Sequence, residues 1–339
     1  MSASKMFRFA GLGSSWWHWI VGGALYGMLF RVFFGALGNY FNGAMSMAFL
    51  VGTPFAVGAL TIYGARNRNQ TLLSLIFSPW ATVALMLVGC AVTVLEGSIC
   101  LALMTPLFLV CGSFGGLAMG LALRLSGPKN SQLKGVAVLP LLLILGEGQL
   151  PLGNRELELR QSVHVEAAPH TVWAQILAAR SIQPQELPFS LTHFIGVPKP
   201  LEGLNVLTPD GEVRYSKWGQ GVNFRAVVTE RKKNESISWR YVFDAQSFPE
   251  GSMDEHVAIG GRYFDLYDTT FNLYGLPGGQ TRLEIVAHYR VTSSINFYAV
   301  PAANLLGRDF VATILALYKG RSERAESSGS RNRSKERGA

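Results

Sequence analysis

The residues able to do acid–base or metal chemistry are few and scattered, and this sets the first limit on function. The densest titratable group is Asp254-Glu255-His256. Successive side chains of an extended chain point to opposite faces, so only Asp254 and His256 share one, and no third ligand is fixed by spacing. The triplet reads as a polar loop before a strand. His164, His170, His193 and His288 are dispersed and read as surface or hydrogen-bonded histidines rather than general bases. The chain has no G-x-S-x-G, H-E-x-x-H, phosphate-loop or paired-cysteine zinc motif. Gly260-Gly261 lacks the G-x-G-x-x-G of a dinucleotide loop and reads as a bulge or tight turn. Cys90, Cys100 and Cys111 all lie in apolar runs, as small buried side chains do, and form no disulfide framework. The sequence therefore assigns no catalytic residue, metal or cofactor.

Binding is better supplied. Phe224, Ala226 and Val228 alternate with Asn223, Arg225 and Thr229, and Ile237, Trp239, Tyr241 and Phe243 alternate with Ser238 and Arg240. Each run has one apolar, aromatic face and one wet face. Tyr263, Tyr267 and Phe271 are expected to share a strand face with Asp265 and Thr269, and Leu283, Ile285 and Tyr289 a face of the partner strand. Leu306 and Phe310 fall on the apolar stripe of the helix that follows. These residues, with Phe224, Trp239 and Tyr241, are the candidate ligand contacts. Apolar walls with few polar handles suit a lipid-like ligand, and the same pattern suits an ordinary sheet core; both readings stand at this point.

The elements that would position them can be read in turn. Glu156–Glu166 alternates as a half-buried strand, and Pro169-His170-Thr171 opens a short helix with Val172, Trp173, Ile176 and Leu177 inward. Glu212–Trp218, Val222–Arg231 and Ser236–Asp244 are β-rich. Two longer runs meet at Gly275-Leu276-Pro277-Gly278-Gly279, a hairpin signal, and Leu306, Phe310, Ile314 and Leu317 then recur at helical spacing. Residues 181–209 carry five prolines with Phe189, Phe194, Ile195 and Val197 between them, a loop segment that either gates a cavity or simply connects.

This strand, the A-A-P-H-T-V-W helix opening, the curved sheet and the final helix resemble the START-like superfamily, also called SRPBCC or polyketide-cyclase-like, over about residues 155–320. The resemblance implies a sheet gripping a long C-terminal helix around a deep, mostly apolar cavity, which different members use for lipids, sterols, quinones, hormones or aromatic polyketides. No catalytic signature of the superfamily carries over to this chain.

The first half is of another kind. The chain is 49% hydrophobic and 15% charged. Its net charge is +6 over residues 1–152, −2 over 153–318 and +4 over 319–339. Trp16–Leu37, Ala44–Tyr63, Leu72–Leu95 and Ile99–Leu123 each have the roughly 20 apolar residues that cross a bilayer. Lys5, Arg8, Arg66, Arg68, Arg124, Lys129 and Lys134 flank alternate ends, while Asn39–Gly43 and Glu96–Ser98 lack Lys and Arg, which places the N-terminus in the cytoplasm. Val136–Leu152, interrupted by Pro140 and Glu147, is either a fifth span or a re-entrant segment; a fifth span puts everything after it outside the cytoplasm. Arg31, Glu96 and Glu147 then lie in the outer half of the membrane, where Arg31 is expected to pair with Glu96 or Glu147 or each to snorkel alone.

The expected architecture is an α-helical transmembrane region of four to five spans (1–152), an α+β helix-grip domain with a curved antiparallel sheet wrapped around a long C-terminal helix (153–320), and a disordered basic tail (321–339). The expected function is membrane-anchored binding or transfer of a lipid or other hydrophobic small molecule in an inner or plasma membrane. The alternatives are a structural or regulatory subunit of a membrane complex without ligand, and an enzyme acting on such a ligand. Membrane lipids, a hydrophobic ligand and a membrane-complex partner are the partners considered. Nucleic acid is excluded, because no aromatics interleave with the basic residues.

Overall fold

The computed structural model describes residues 14–37, 43–68, 70–147, 152–254 and 256–336, and the chain divides into two compact units at Leu152/Gly153. Lys5, Arg8, most of the Asn39–Gly43 loop, Glu255 and the end of the Val136–Leu152 run lie outside the described residues.

The first unit is helical: α1 (Ser14–Ala36), α2 (Thr53–Gly64), α3 (Leu72–Val92), α4 (Ser98–Ser126) and α5 (Asn130–Glu147), with a π-helical turn at Ala48–Gly52 leading into α2. Buried along almost its whole length, α2 is the core of this unit. Glycine makes that possible: a Cβ on Gly58 would stand 1.9 Å from the Gly112 carbonyl oxygen, and one on Gly115 would stand 1.9 Å from that of Phe55. Backbones approach where only glycine fits, as in membrane helix pairs. The Thr61 hydroxyl donates to the Thr82 hydroxyl at 2.8 Å and ties α2 to α3.

Among the described residues, four helices are long and apolar enough to cross a membrane: Trp16–Ala36, Leu72–Val92, Ser98–Ser126 and Asn296–Ser328. Three coincide with expected spans. The expected second span is shorter, 17 residues over Ala48–Gly64, about 25 Å at 1.5 Å per residue. Asn296–Ser328 belongs instead to the second unit, where Val311, Leu315, Leu317 and Tyr318 are buried in a sheet core.

The three isolated charges of the first unit are placed in different ways. Arg31 forms an ion pair with Glu96 through Nε, and its Nη2 donates to the Leu95 carbonyl at 2.8 Å. Glu147 does not join them. Its carboxylate accepts the backbone N–H groups of Met47 and Ala48 at 2.7 and 2.9 Å, satisfying donors that a helix start leaves orphaned.

The second unit is an eight-stranded antiparallel sheet in the order β1-β8-β7-β6-β5-β4-β3-β2. Its strands are β1 (Gly153–Val165), β2 (Ala178–Ala179), β3 (Pro200–Thr208), β4 (Gly211–Trp218), β5 (Asn223–Lys232), β6 (Ser236–Val242), β7 (Phe264–Leu276) and β8 (Gln280–Ser293). Three helices accompany it: α6 (Pro169–Leu177), α7 (Leu191–Phe194) and α8 (Asn296–Glu336). The β7–β8 turn forms as its glycines predict, with φ of 81° at Gly278 and 73° at Gly279. The main core lies where α8 packs over β1 and β8, among Leu159, Phe271, Leu283, Ile285, Val311 and Leu315.

α8 runs through Glu336, into the segment expected from its composition to be a tail. Its C-terminal turns have partners that composition does not reveal. Arg321 and Arg324 each reach Glu186 at 2.6 Å, and Glu326 accepts the Thr171 hydroxyl at 2.5 Å at the start of α6.

Candidate functional site

The inner face of the sheet collects the candidate residues, with two exceptions caused by one β-bulge. Phe264 and Leu266 pair with Val291 and Tyr289, and then the register shifts so that Asp268 pairs with His288 and Phe271 with Ile285. An extra residue in one strand reverses the alternation on either side of it. Tyr267 occupies the bulge and Tyr263 precedes the strand, its ring 6.0 Å from that of His256, so neither shares the face of Phe271 as expected. Phe264 and Leu266 take the inward places.

The remaining candidates separate into packed core and accessible wall. Trp239, Phe271, Leu283, Ile285 and Tyr289 are buried in the main core. Phe224, Tyr241 and Phe310 meet a second group that the sequence reading did not name as ligand contacts, and Leu306 lies one turn before Phe310 on α8. Trp218 stands 5.2 Å from Phe224 and 5.3 Å from Phe310, Phe224 stands 5.8 Å from Tyr241 and 5.6 Å from Phe243, and the His193 ring stands 5.7 Å from Phe310. This aromatic wall fronts β4–β6, which the backbone of α8 does not cover, and Trp218, Tyr241, Phe243, Leu306 and Phe310 stay only half-buried although they face inward.

Polar handles within the wall are sparse and specific. The Tyr241 hydroxyl donates to Thr269 at 3.0 Å and that of Tyr289 donates to Asn304 at 2.8 Å. Burial raises the Tyr241 phenol above its ordinary value, despite hydrogen bonding and the nearby Arg214. His193 Nδ1 lies 2.9 Å from the Val197 carbonyl, which assigns the proton to Nδ1 and leaves Nε2 an acceptor, buried and without a partner. Burial lowers its basicity and keeps the ring neutral near pH 7. Such a wall holds an apolar body and fixes its orientation through few hydrogen bonds.

Arg214 is the residue that sequence reasoning missed. In β4 the apolar side chains are Val213 and Tyr215, yet Arg214, Ser216 and Trp218 point inward, opposite Ala226 and Phe224 of β5. Arg214 is 6% exposed. It donates to the Ile176 carbonyl at 2.7 Å, the Asn205 side chain at 2.8 Å and the Tyr318 hydroxyl at 2.9 Å, and lies 4.6 Å from the centre of the Trp239 ring. Only the register against β5, invisible in one strand alone, reveals this inversion.

Segment 181–209 is pinned to α8 at two points. Asp309 accepts the Ser190 hydroxyl and the Leu191 and Thr192 amides at 2.5, 3.1 and 2.8 Å, and Glu186 binds Arg321 and Arg324. Where β1, β8 and the bulge of β7 meet, Glu156, Leu157, Glu158, Tyr267, His288 and Tyr289 line an open cleft of about 320 Å³. There Asp268, 2.6 Å from His288 Nδ1, raises the His288 pKa above its ordinary value. This polar cleft does not coincide with the aromatic wall. No metal-ligating cluster occurs among the described residues.

No family model and no curated protein matches the chain by sequence. Solved structures similar to it include the Zhui aromatase/cyclase from Streptomyces sp. R1128, 14% identical, with a TM-score of 0.33, covering 52% of this chain and 99% of that one. A START superfamily protein from Mycobacterium smegmatis is 15% identical, with a TM-score of 0.33 and coverages of 51% and 99%. Norcoclaurine synthase from Thalictrum flavum is 11% identical, with a TM-score of 0.31 and coverages of 49% and 86%.

Proposed function

We propose that the chain is a membrane-anchored protein whose helix-grip unit binds, or transfers, a lipid or other hydrophobic small molecule at the bilayer surface. The observation that supports this reading is the aromatic wall built around the buried Phe224, in which Trp218, Tyr241, Phe243 and Phe310 face inward yet stay only half-buried. A finished core buries such side chains fully, because each one covered contributes about 1.5–3 kcal/mol. We assign the grip unit to the extracytoplasmic side, on the basic loops and a fifth crossing by α5.

Native mass spectrometry of the full chain, extracted together with its lipids, tests the binding. The expected result is a non-covalent adduct of lipid mass. A chain that carries no adduct and takes up no added lipid overturns the reading. A reporter active only in the cytoplasm, fused after Ala339, is expected to stay silent; strong activity would refute the assigned orientation.

A further inference from the structure

The interior around Arg214 has more hydrogen-bond donors and more positive charge than its own residues can satisfy. The guanidinium carries its charge at any physiological pH, and a buried charge is normally met by an opposite one. Here its neighbours are three neutral acceptors, the Ile176 carbonyl, the Asn205 side chain and the Tyr318 hydroxyl, and the face of Trp239. No carboxylate among the described residues pairs with it. Glu212 is linked to it through Asn205, whose amide donates to Glu212 at 3.0 Å, but Arg231 already holds that carboxylate at 2.6 Å. The connected group of two arginines and one glutamate keeps a net positive charge.

Donors around it are unfilled as well. The Trp239 indole is 2% exposed, and its Nε1–H has no well-aligned hydrogen-bond partner, reaching the Tyr241 hydroxyl only closely enough to moderate that phenol's raised pKa. The Tyr318 oxygen accepts from Arg214, so its own O–H remains to be donated. Space is reserved for the guanidinium: a Cβ on Gly203 would lie 2.3 Å from Arg214 Nη2 and 3.0 Å from Cζ. Arg214 thus contacts the Trp239 indole and the Tyr318 hydroxyl without a counter-charge, and Trp239 shares its strand with Tyr241 of the aromatic wall.

We infer that the ligand is an amphiphilic anion whose oxyanion head docks on Arg214 and the Trp239 N–H while its apolar body lies along Trp218, Phe224 and Phe310. This deepens the proposed function and rests on it. Neutral ligands of similar size leave the guanidinium without a counter-charge and bind less tightly.

The test uses the full chain in nanodiscs and a fluorescent polyene fatty acid, cis-parinaric acid, against its methyl ester, with lysophosphatidic acid as competitor. The acid is expected to bind at least about tenfold tighter than the ester, the scale of charge-assisted hydrogen bonds in a dry site. Arg214→Met is expected to bring the acid down to the ester's affinity and leave the ester unchanged. Because Arg214 also holds Ile176 and Tyr318, Trp239→Phe provides a second variant, which removes the N–H together with part of the ring and is expected to lower the unfolding temperature and to weaken the acid several-fold more than the ester. Displacement of the probe by lysophosphatidic acid identifies a phosphate head as acceptable, and failure to displace restricts the site to carboxylates. Equal affinity for acid and ester, or full acid affinity in the Trp239→Phe protein, overturns the inference while leaving ligand binding in place. Binding of neither probe overturns the proposed function itself.

Discussion

Asp309 of α8 accepts the Ser190 hydroxyl at 2.5 Å, and with the amides of Leu191 and Thr192 this fastens the segment beside the aromatic wall to the gripping helix. Burial opposes ionisation of Asp309, but the bonds from Ser190, Thr192 and Leu191 outweigh it and hold the carboxyl below its ordinary range. The Thr192 hydroxyl adds a bond to the Leu306 carbonyl at 3.0 Å, on the turn that carries a candidate ligand contact.

Asp309→Asn removes the charge and replaces one of the two acceptor oxygens by an NH2 donor, so the donors from Ser190, Leu191 and Thr192 can no longer all be met. Hydrogen bonds to a charged group each contribute about 1.5–3 kcal/mol, so amides of 190–197 are expected to exchange with deuterium at least about tenfold faster while β7 and β8 exchange as before. The pH dependence follows from the lowered pKa. The contribution of Asp309 is complete above the unfolded-state value of about 3.9 and is lost as pH falls through the lower folded value. Protection of 190–197 should therefore decline below about pH 4 in the wild type and be flat there in Asp309→Asn. Uniform exchange across the variant and wild type would show that the segment is held by other contacts.

The Arg31–Glu96 pair has side chains only 12% and 3% exposed. Breaking a buried pair costs about 3–5 kcal/mol because the remaining charge is left uncompensated. Arg31→Glu is expected to lower the unfolding temperature in detergent markedly, and Arg31→Glu with Glu96→Arg to restore most of it. Glu147→Arg should not rescue, since that carboxylate serves the Met47 and Ala48 amides. Rescue by Glu147→Arg, or stability of Arg31→Ala equal to the wild type, would contradict the observed pairing.

Much of the grip unit was legible because strands and helix carry their own periods. The β7–β8 turn is written in Gly278 and Gly279, and the α8 stripe in Leu315 and its neighbours. What the sequence hides is relational. A bulge at Tyr267 changes no composition but turns Tyr263 and Tyr267 away from the face of Phe271. The inward Arg214 depends on the pairing of β4 with β5, and the alternation of Val213 with Tyr215 argues for the opposite face. The helical tail depends on Glu186 and Thr171, far away in sequence, while its own polar composition argues for disorder. The choice of Glu96 over Glu147 as the partner of Arg31 likewise rests on which helix starts need a carboxylate.

Glycine at the α2–α4 contact offers a separate test of the first unit. A Cβ on Gly58 or Gly115 meets a backbone carbonyl at 1.9 Å, and backbone cannot rotate aside as a side chain can. Gly115→Ala is expected to cost about 1–3 kcal/mol, the range for overpacking, read as reduced thermal stability in detergent. Gly135→Ala, with nothing within 4 Å, is the matched control and should be neutral or slightly stabilising. Equal effects at both positions would mean that close helix approach does not govern stability here.

Leu306 and Ile285 were both candidate ligand contacts, and their surroundings now set them apart. Ile285 is 2% exposed within the packed core, opposite Phe271, so Ile285→Trp has no void to fill and should destabilise the unit by about 1–3 kcal/mol. Leu306 is half-buried on α8, one turn from Phe310 of the aromatic wall. Leu306→Trp can therefore grow into accessible space at little cost in stability. Added bulk there should displace a bound apolar molecule, so the variant is expected to keep its unfolding temperature within a few degrees and lose at least about tenfold in affinity for an added lipid probe. The two outcomes are separable by calorimetry and probe binding on the same preparations. If Leu306→Trp unfolds as Ile285→Trp does, the space beside Phe310 is filled by the protein's own packing; if it folds and binds the probe as the wild type does, the ligand does not reach this turn of α8.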